Sequence, residues 1–258
     1  MARVPIGLEM YSVRNEFAEK PLETLQAVAN MGYAGVEFAG ARNHTAEEYK
    51  EMLDQTGLVC CGWHTPFPLV RDDELEETIR FNRIVGNKHV IVPGIPGNLR
   101  ETREDWLKMA GFFDELAAKL APHGMKTGYH NHNIEFAELG GEKPWDTFFG
   151  NTGPEVIMQL DMGNALSGGA DVIQLLKTYT GRCQTVHLKP YSVTLGTEDP
   201  KAGFRPIIGE DDVPWNEVFE LCETVGDTEW YVVEYESDAY PPMKSVELCL
   251  SALRAMGK

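Results

Sequence analysis

No apolar run in the sequence approaches the roughly 20 residues that a membrane helix needs, which excludes a membrane span. Nor is there a C-x-x-C pair. The five cysteines, Cys60, Cys61, Cys183, Cys222 and Cys249, are odd in number and suit neither a disulfide framework nor a thiolate zinc site. They read as reduced thiols acting as small apolar residues in a cytoplasmic protein. Residues 1–5, Met1-Ala2-Arg3-Val4-Pro5, lead straight into a folded-looking segment without the apolar core of a signal peptide. Positive charge is scarce, with 23 Lys and Arg against 40 Asp and Glu and a formal net charge of −17. That balance argues against nucleic acid as a partner, because its binding is carried by basic contacts to phosphates. A glycine-rich phosphate loop is also missing. The first apolar run leads to Tyr11-Ser12-Val13-Arg14, and the pairs Gly140-Gly141 and Gly168-Gly169 lack the spacing of a dinucleotide fingerprint.

What is present is a regular alternation. The chain has 258 residues, 43% of them apolar, enough for one large domain or two ordinary ones. Short apolar runs occur at 5–10, 35–38, 58–62, 89–92, 126–129, 156–160, 185–188 and 230–234. Amphipathic stretches separate them. A helix over Pro21–Met31 ends at Gly32, and Thr45-Ala46-Glu47-Glu48 is a capping box for a helix ending at Gly57. Another helix opens near Asp72 and ends at Gly86. The longest begins at Thr102–Asp105 with a stripe of Trp106, Met109, Phe112, Phe113, Leu116 and Leu120, at the spacing of a buried helix face. Pro214 is expected at the first position of a later helix, and the closing helix covers roughly Met243–Met256. Eight strand–helix units averaging about 32 residues imply a parallel sheet with right-handed crossovers. With no linker or compositional break, residues 1–258 read as a single (β/α)8 TIM barrel.

In such a barrel the chemistry sits at the C-terminal ends of the strands. The ends carry Glu37, His64, His130 and His132, Glu135 just beyond, Asp161, His187 and Lys189, and Glu234 and Glu236. Taken singly, each could be a helix cap or a loop hydrogen bond. Together they place acids and imidazoles from several segments at one mouth, where mutual repulsion calls for a cation. Carboxylate and imidazole donors without thiolate suit Mn, Mg, Co or Zn, and the donor types do not choose among them.

Four segments carry a resemblance: Gly128-Tyr129-His130-Asn131-His132-Asn133-Ile134-Glu135-Phe136, Leu160-Asp161-Met162-Gly163-Asn164-Ala165, Val186-His187-Leu188-Lys189-Pro190 and Val233-Glu234-Tyr235-Glu236. In content and order they resemble the sugar phosphate isomerase/epimerase family of the xylose-isomerase-like TIM-barrel superfamily, which includes inosose dehydratases and ketose 3-epimerases. The resemblance implies one divalent metal, manganese among the candidates, held by Glu135, Asp161, His187 and Glu234 after strands 5 to 8. In many relatives the first ligand lies on the strand itself, where this chain has His130. Either Glu135 reaches back, or His130 or His132 replaces it. Pro190 stands where many relatives place an Asp.

The activity so implied is isomerisation or epimerisation of a ketose or keto-sugar, by proton transfer next to a carbonyl through an enediolate. Glu135 and Glu234 are the expected acid–base pair. Loss of a β-hydroxyl, as in an inosose-type dehydratase, is the alternative on the same scaffold, and a catalytically silent sugar-binding barrel is the non-enzymatic one. His64, His130, His132, Lys189 and Arg205 are candidates for holding the substrate. Trp63, with Phe67 and Trp145, is a candidate apolar wall for a sugar face. The long connection Tyr191–Val213 reads as a lid or a subunit contact. The expected partner is a small sugar, not a membrane or nucleic acid, and the acidic surface is compatible with a homo-oligomer without specifying one.

Overall fold

The apolar runs become strands because β-branched and aromatic residues fit a sheet covered on both faces. In the computed structural model, which describes residues 3–258, they are β1 Ile6–Glu9, β2 Gly35–Ala39, β3 Val59–His64, β4 His89–Val92, β5 Lys126–His130, β6 Val156–Gln159, β7 Thr185–Leu188 and β8 Trp230–Val233. All pair in parallel, in the order β6-β5-β4-β3-β2-β1-β8-β7. Between β6 and β7 the barrel closes thinly. His187 N donates to Leu160 O at 3.0 Å, Met158 N to Arg182 O at 2.7 Å, and Asp161 pairs with His187 in a single bridge. The result is the single (β/α)8 barrel that the alternation implied.

Helices fill every crossover, and local sequence sets their ends. The box at Thr45 forms as expected, Glu48 N donating to the Thr45 hydroxyl while Thr45 N donates to Glu48. A second box, Thr102 with Asp105, opens the 18-residue helix Arg103–Leu120. Its buried residues are Trp106, Ala110, Phe113, Leu116, Ala117 and Leu120, with Met109 and Phe112 only half-buried. Two boundaries differ from the sequence reading. The helix expected from Asp72 starts at Leu75, because Asp72 pairs with Lys119 at 2.6 Å and 72–74 form a turn. Pro214 precedes its helix, Trp215–Thr224, as the cap residue. All five cysteines are buried free thiols. Among the described residues no helix is long and apolar enough to cross a membrane.

The segment Tyr191–Val213 is folded rather than open. It contains a helix at Val193–Glu198 and a 3-10 turn at Ala202–Phe204, packed around the Tyr191 ring, which lies 4.8 Å from the Phe204 ring. Asp212 ties its ends by accepting from Val193 N at 2.7 Å.

At the opposite, N-terminal face, Glu229 before β8 reaches His89 of β4 at 3.3 Å and Lys126 of β5 at 3.2 Å. The hydrogen bond from His89 and the Lys126 charge bring its carboxyl down to about 2 despite partial burial. A lowered folded value means stability that is present above the unfolded value of 4.5 and lost as pH falls toward about 2. Glu229→Gln is therefore expected to lower the unfolding midpoint at pH 7 and to flatten the acid loss between pH 4.5 and 2. Urea melts at pH 7, 4 and 2 check this, and a constant offset from wild type at all three would contradict it.

Candidate metal centre at the barrel mouth

Strand ends aim the polar residues inward. Glu9 and Glu37 are register partners on β1 and β2, His64 and His130 are the last residues of β3 and β5, and Gln159 ends β6. Asp161 follows β6 as the cap of the short helix Met162–Ser167, its Oδ1 accepting from Asn164 N at 2.6 Å. Asn131 fixes the Asp161 backbone from both sides, accepting from its N–H at 2.8 Å and donating to its carbonyl at 3.1 Å. His187 lies on β7 and Glu234 directly follows β8.

His187 is the hub. Its Nδ1 lies 2.7 Å from Glu234 Oε2 and its Nε2 lies 2.6 Å from Glu37 Oε2. Asp161 Oδ2 is 3.9 Å from Nδ1. Lys189 donates to Glu234 at 2.9 Å and to Glu236 at 2.5 Å, with the Phe204 ring 5.4 Å from its ammonium. Gln159 joins the two halves. Its carbonyl lies 2.6 Å from His64 Nε2 and 3.1 Å from His130 Nδ1, while its amide donates to Glu37 at 3.0 and 3.2 Å and to Thr185 at 3.0 Å.

The electrostatics follow from this packing. Burial alone would raise the Glu37 carboxyl, but His64, His187 and Gln159 outweigh it and hold it at about 2. Lys189 and His187 likewise overcome burial at Glu234 and hold it well below the usual carboxylate range. The two flanking carboxylates drive His187 well above its ordinary value against its burial. Burial, reinforced by His187 and His64, pushes His130 well down. Asp161 is the exception. Burial lifts it to about 8, only partly offset by Lys189, and its Oδ2 is buried without a hydrogen-bond partner. Glu9 is raised too, first by burial and then by Glu37, and neither of its oxygens has a partner.

One ligand atom each from His130, Asp161, His187 and Glu234 lies within 4.8 Å of the others. A second such group, Glu9, Glu37, His64 and His187, shares the His187 ring. The orphaned Asp161 oxygen in a buried set of two imidazoles and two carboxylates is what a divalent cation would satisfy, so the residues fit a metal.

The sequence reading placed Asp161, His187 and Glu234 here, and the structure brings them together. Of its three alternatives for the first ligand, His130 lies in the group. Glu135 does not. Its carboxylate is buried beside the site, accepting from the Tyr129 hydroxyl at 2.6 Å and from His132 N at 2.8 Å. Five residues past His130, the chain has turned into Ile134–Phe136 and carried that side chain away from the mouth. His132 is exposed at the rim, 5.4 Å between ring centroids from His130.

Trp63 is not a wall of the mouth. It is a core residue, packed 5.0 Å from the Phe38 and Tyr49 rings and 4.9 Å from Phe81, its N–H on Gly40 O. Alternation along β3 turns it outward, under the helices, when its neighbour His64 faces in. Trp145 and Phe67 are likewise buried in aromatic packing. The Arg205 side chain is exposed, and the residue serves through its carbonyl, which accepts from the Tyr235 hydroxyl at 2.6 Å.

Sequence reasoning placed Glu37 at the mouth without assigning it a partner and missed Glu9 and Gln159, although an acid closing the first apolar strand was a readable signal. Gly62 makes room for Glu37. A Cβ there would overlap Glu37 Oε1 and lie 2.9 Å from its Cδ. Gly62→Ala should destabilise by about 1–3 kcal/mol, the usual cost of overpacking. Chemical denaturation measures it, and an unchanged midpoint would show that the Glu37 carboxylate is free to move.

A closed ring of eight parallel strands with buried acids and imidazoles at the C-terminal mouth defines a TIM-barrel protein with a candidate metal centre. The chain belongs to the xylose isomerase-like TIM barrel family, whose model matches residues 25–256. It is 23% identical over 246 residues to an inosose dehydratase of Geobacillus thermodenitrificans, covering 84% of this chain and 82% of that protein. A sugar phosphate isomerase/epimerase of Parabacteroides distasonis superposes with a TM-score of 0.80 at 22% identity, over 99% of this chain and 95% of that one. The IOLI protein, solved with a bound zinc atom, superposes with a TM-score of 0.73 at 14% identity, over 97% of each chain. At these identities the superpositions show the fold alone.

Proposed function

We propose that this protein is a divalent-metal-dependent enzyme that isomerises a ketose or keto-sugar by moving a proton next to the carbonyl. The observation that supports it most is the buried set His130, Asp161, His187 and Glu234, in which one Asp161 oxygen is left without a partner. These four residues would hold the metal. When bound, a divalent ion supplies electrophilic polarisation of the substrate carbonyl and lowers the cost of negative charge on its oxygen.

The remaining work falls to the chain. Glu234, kept ionised by Lys189 and His187, is the carboxylate suited to take the proton from the carbon beside the carbonyl. Lys189, itself raised by Glu234, Asp161 and Glu236 against its burial, stays charged and attracts a developing oxyanion. His64, lowered by burial, is the ring left to hold a sugar hydroxyl once His130 serves the metal. Tyr191–Val213 lies beside this machinery through Phe204 and forms one edge of the mouth as a folded lid.

Epimerisation by two carboxylates requires a second base facing the first, and Glu135 is engaged elsewhere. Transfer between neighbouring carbons needs only one carboxylate. So does removal of the proton followed by departure of a β-hydroxyl. That second reading, an inosose-type dehydratase, is favoured by the curated relative of that name.

Incubation of the chelator-stripped and manganese- or zinc-reloaded protein with ketoses, keto-sugars and inososes in D2O tests both. The expected result is deuterium entering next to the carbonyl only in the reloaded protein. Isomerisation keeps the product mass apart from deuterium, whereas dehydration loses water. Glu234→Gln should reduce the rate by on the order of 10²–10⁴. Exchange that survives full metal removal, or no exchange with any substrate, would overturn the proposal.

A further inference from the structure

We infer that Glu37 is a positioning residue that fixes the tautomer of His187, holding a proton on Nε2 and leaving Nδ1 bare for a metal. The inference rests on the reading of His187 as a ligand. The ring has two different surroundings. Its Nδ1 faces Glu234 at 2.7 Å and Asp161 at 3.9 Å, both members of the candidate ligand set. Its Nε2 faces Glu37 at 2.6 Å, on the far side of the ring from Asp161 and Glu234.

A neutral imidazole can donate from one nitrogen and ligate from the other. A carboxylate fixed against Nε2 selects the form with the proton there and makes Nδ1 the better donor to a cation. Fixity is what this site supplies. Glu37 has no solvent exposure, and the Gln159 amide donates to both its oxygens at 3.0 and 3.2 Å. Gln159 is held in turn by Thr185, His64 and His130. The space for the carboxylate exists because position 62 has no side chain. Turning the ring over would set carbon atoms against both carboxylates and forfeit two short contacts. Glu37 also lies 3.5 Å from His64 Nε2, but His187 is the one member of the candidate ligand set that it contacts, so its effect on a metal is transmitted through that ring.

The test is nitrogen NMR on ¹⁵N-histidine-labelled, zinc-loaded protein, with the His187 ring assigned by its disappearance in His187→Asn, together with zinc affinity from competition with a chromogenic chelator. Wild type should show Nε2 protonated and Nδ1 bound to zinc. Glu37→Leu, which removes the acceptor, should weaken zinc binding 10- to 100-fold, the usual effect of losing such a partner. Glu37→Gln, which retains a carbonyl acceptor, should fall between that and wild type. Should Glu37→Leu fail to fold, the wild-type spectrum and Glu37→Gln still decide. A wild-type ring protonated on Nδ1 and bound through Nε2, or equal zinc affinity in folded Glu37→Leu, overturns the role of Glu37 and leaves the metal centre standing. A wild-type protein that binds no zinc overturns the metal centre itself, and this inference with it.

Discussion

Two carboxylates pressed against one imidazole set the terms for the rest of the mouth. His187 lies between Glu37 and Glu234 at 2.6 and 2.7 Å, shielded from water on every side. Removing ionised groups from water costs several kcal/mol each unless charge or hydrogen bonds replace the solvent. Each neighbour of the pair does part of that replacement. Lys189 meets Glu234, Gln159 meets Glu37, and Thr185 and Asn131 hold the supports in place. What this network leaves over is one oxygen of Asp161 and both oxygens of Glu9. The first sits in the donor set His130, Asp161, His187 and Glu234. The second sits in the neighbouring set with Glu37, His64 and His187, where burial and then the Glu37 charge raise the Glu9 carboxyl.

The fold was legible because its signals are local and repeated. Eight apolar runs, the reciprocal cap at Thr45 and glycines just past helix ends, such as Gly32, Gly57 and Gly86 at φ 99, 74 and 83°, each act within one turn of chain. Helix starts lacking such a cap were the points of difference. Glu74 makes no capping hydrogen bond, and nothing in its neighbourhood distinguished Asp72 from Leu75 as the start.

The site was legible only where position on a strand determines direction. Asp161, His187 and Glu234 lie within two residues of a strand end, and their convergence followed from topology. Glu135 lies five residues beyond β5, far enough for a short turn to give it a different partner, the Tyr129 hydroxyl. Trp63 lies one residue before the inward-facing His64 and is turned into the helical layer by the two-residue period of the strand. Arg205 sits in a connection whose path depends on the Tyr191 ring against Phe204 and the Asp212 tie, contacts that reach well beyond one turn of chain. Gln159, and its pairing with Glu37, were hidden for the opposite reason. Both are strand residues whose importance lies in a hydrogen bond across the barrel, 122 residues apart.

The thin closure between β6 and β7 gives this arrangement a mechanical side. The one bridge that fastens those strands at the mouth pairs Asp161 with His187, two of the four donors. Elsewhere adjoining strands share ladders with two or more register pairs. The chemistry is thus built into the barrel's weakest joint, and its donors double as the clasp that shuts the cylinder. A disturbance that springs the clasp would scatter the donors, and anything that grips the donors would tighten the whole ring.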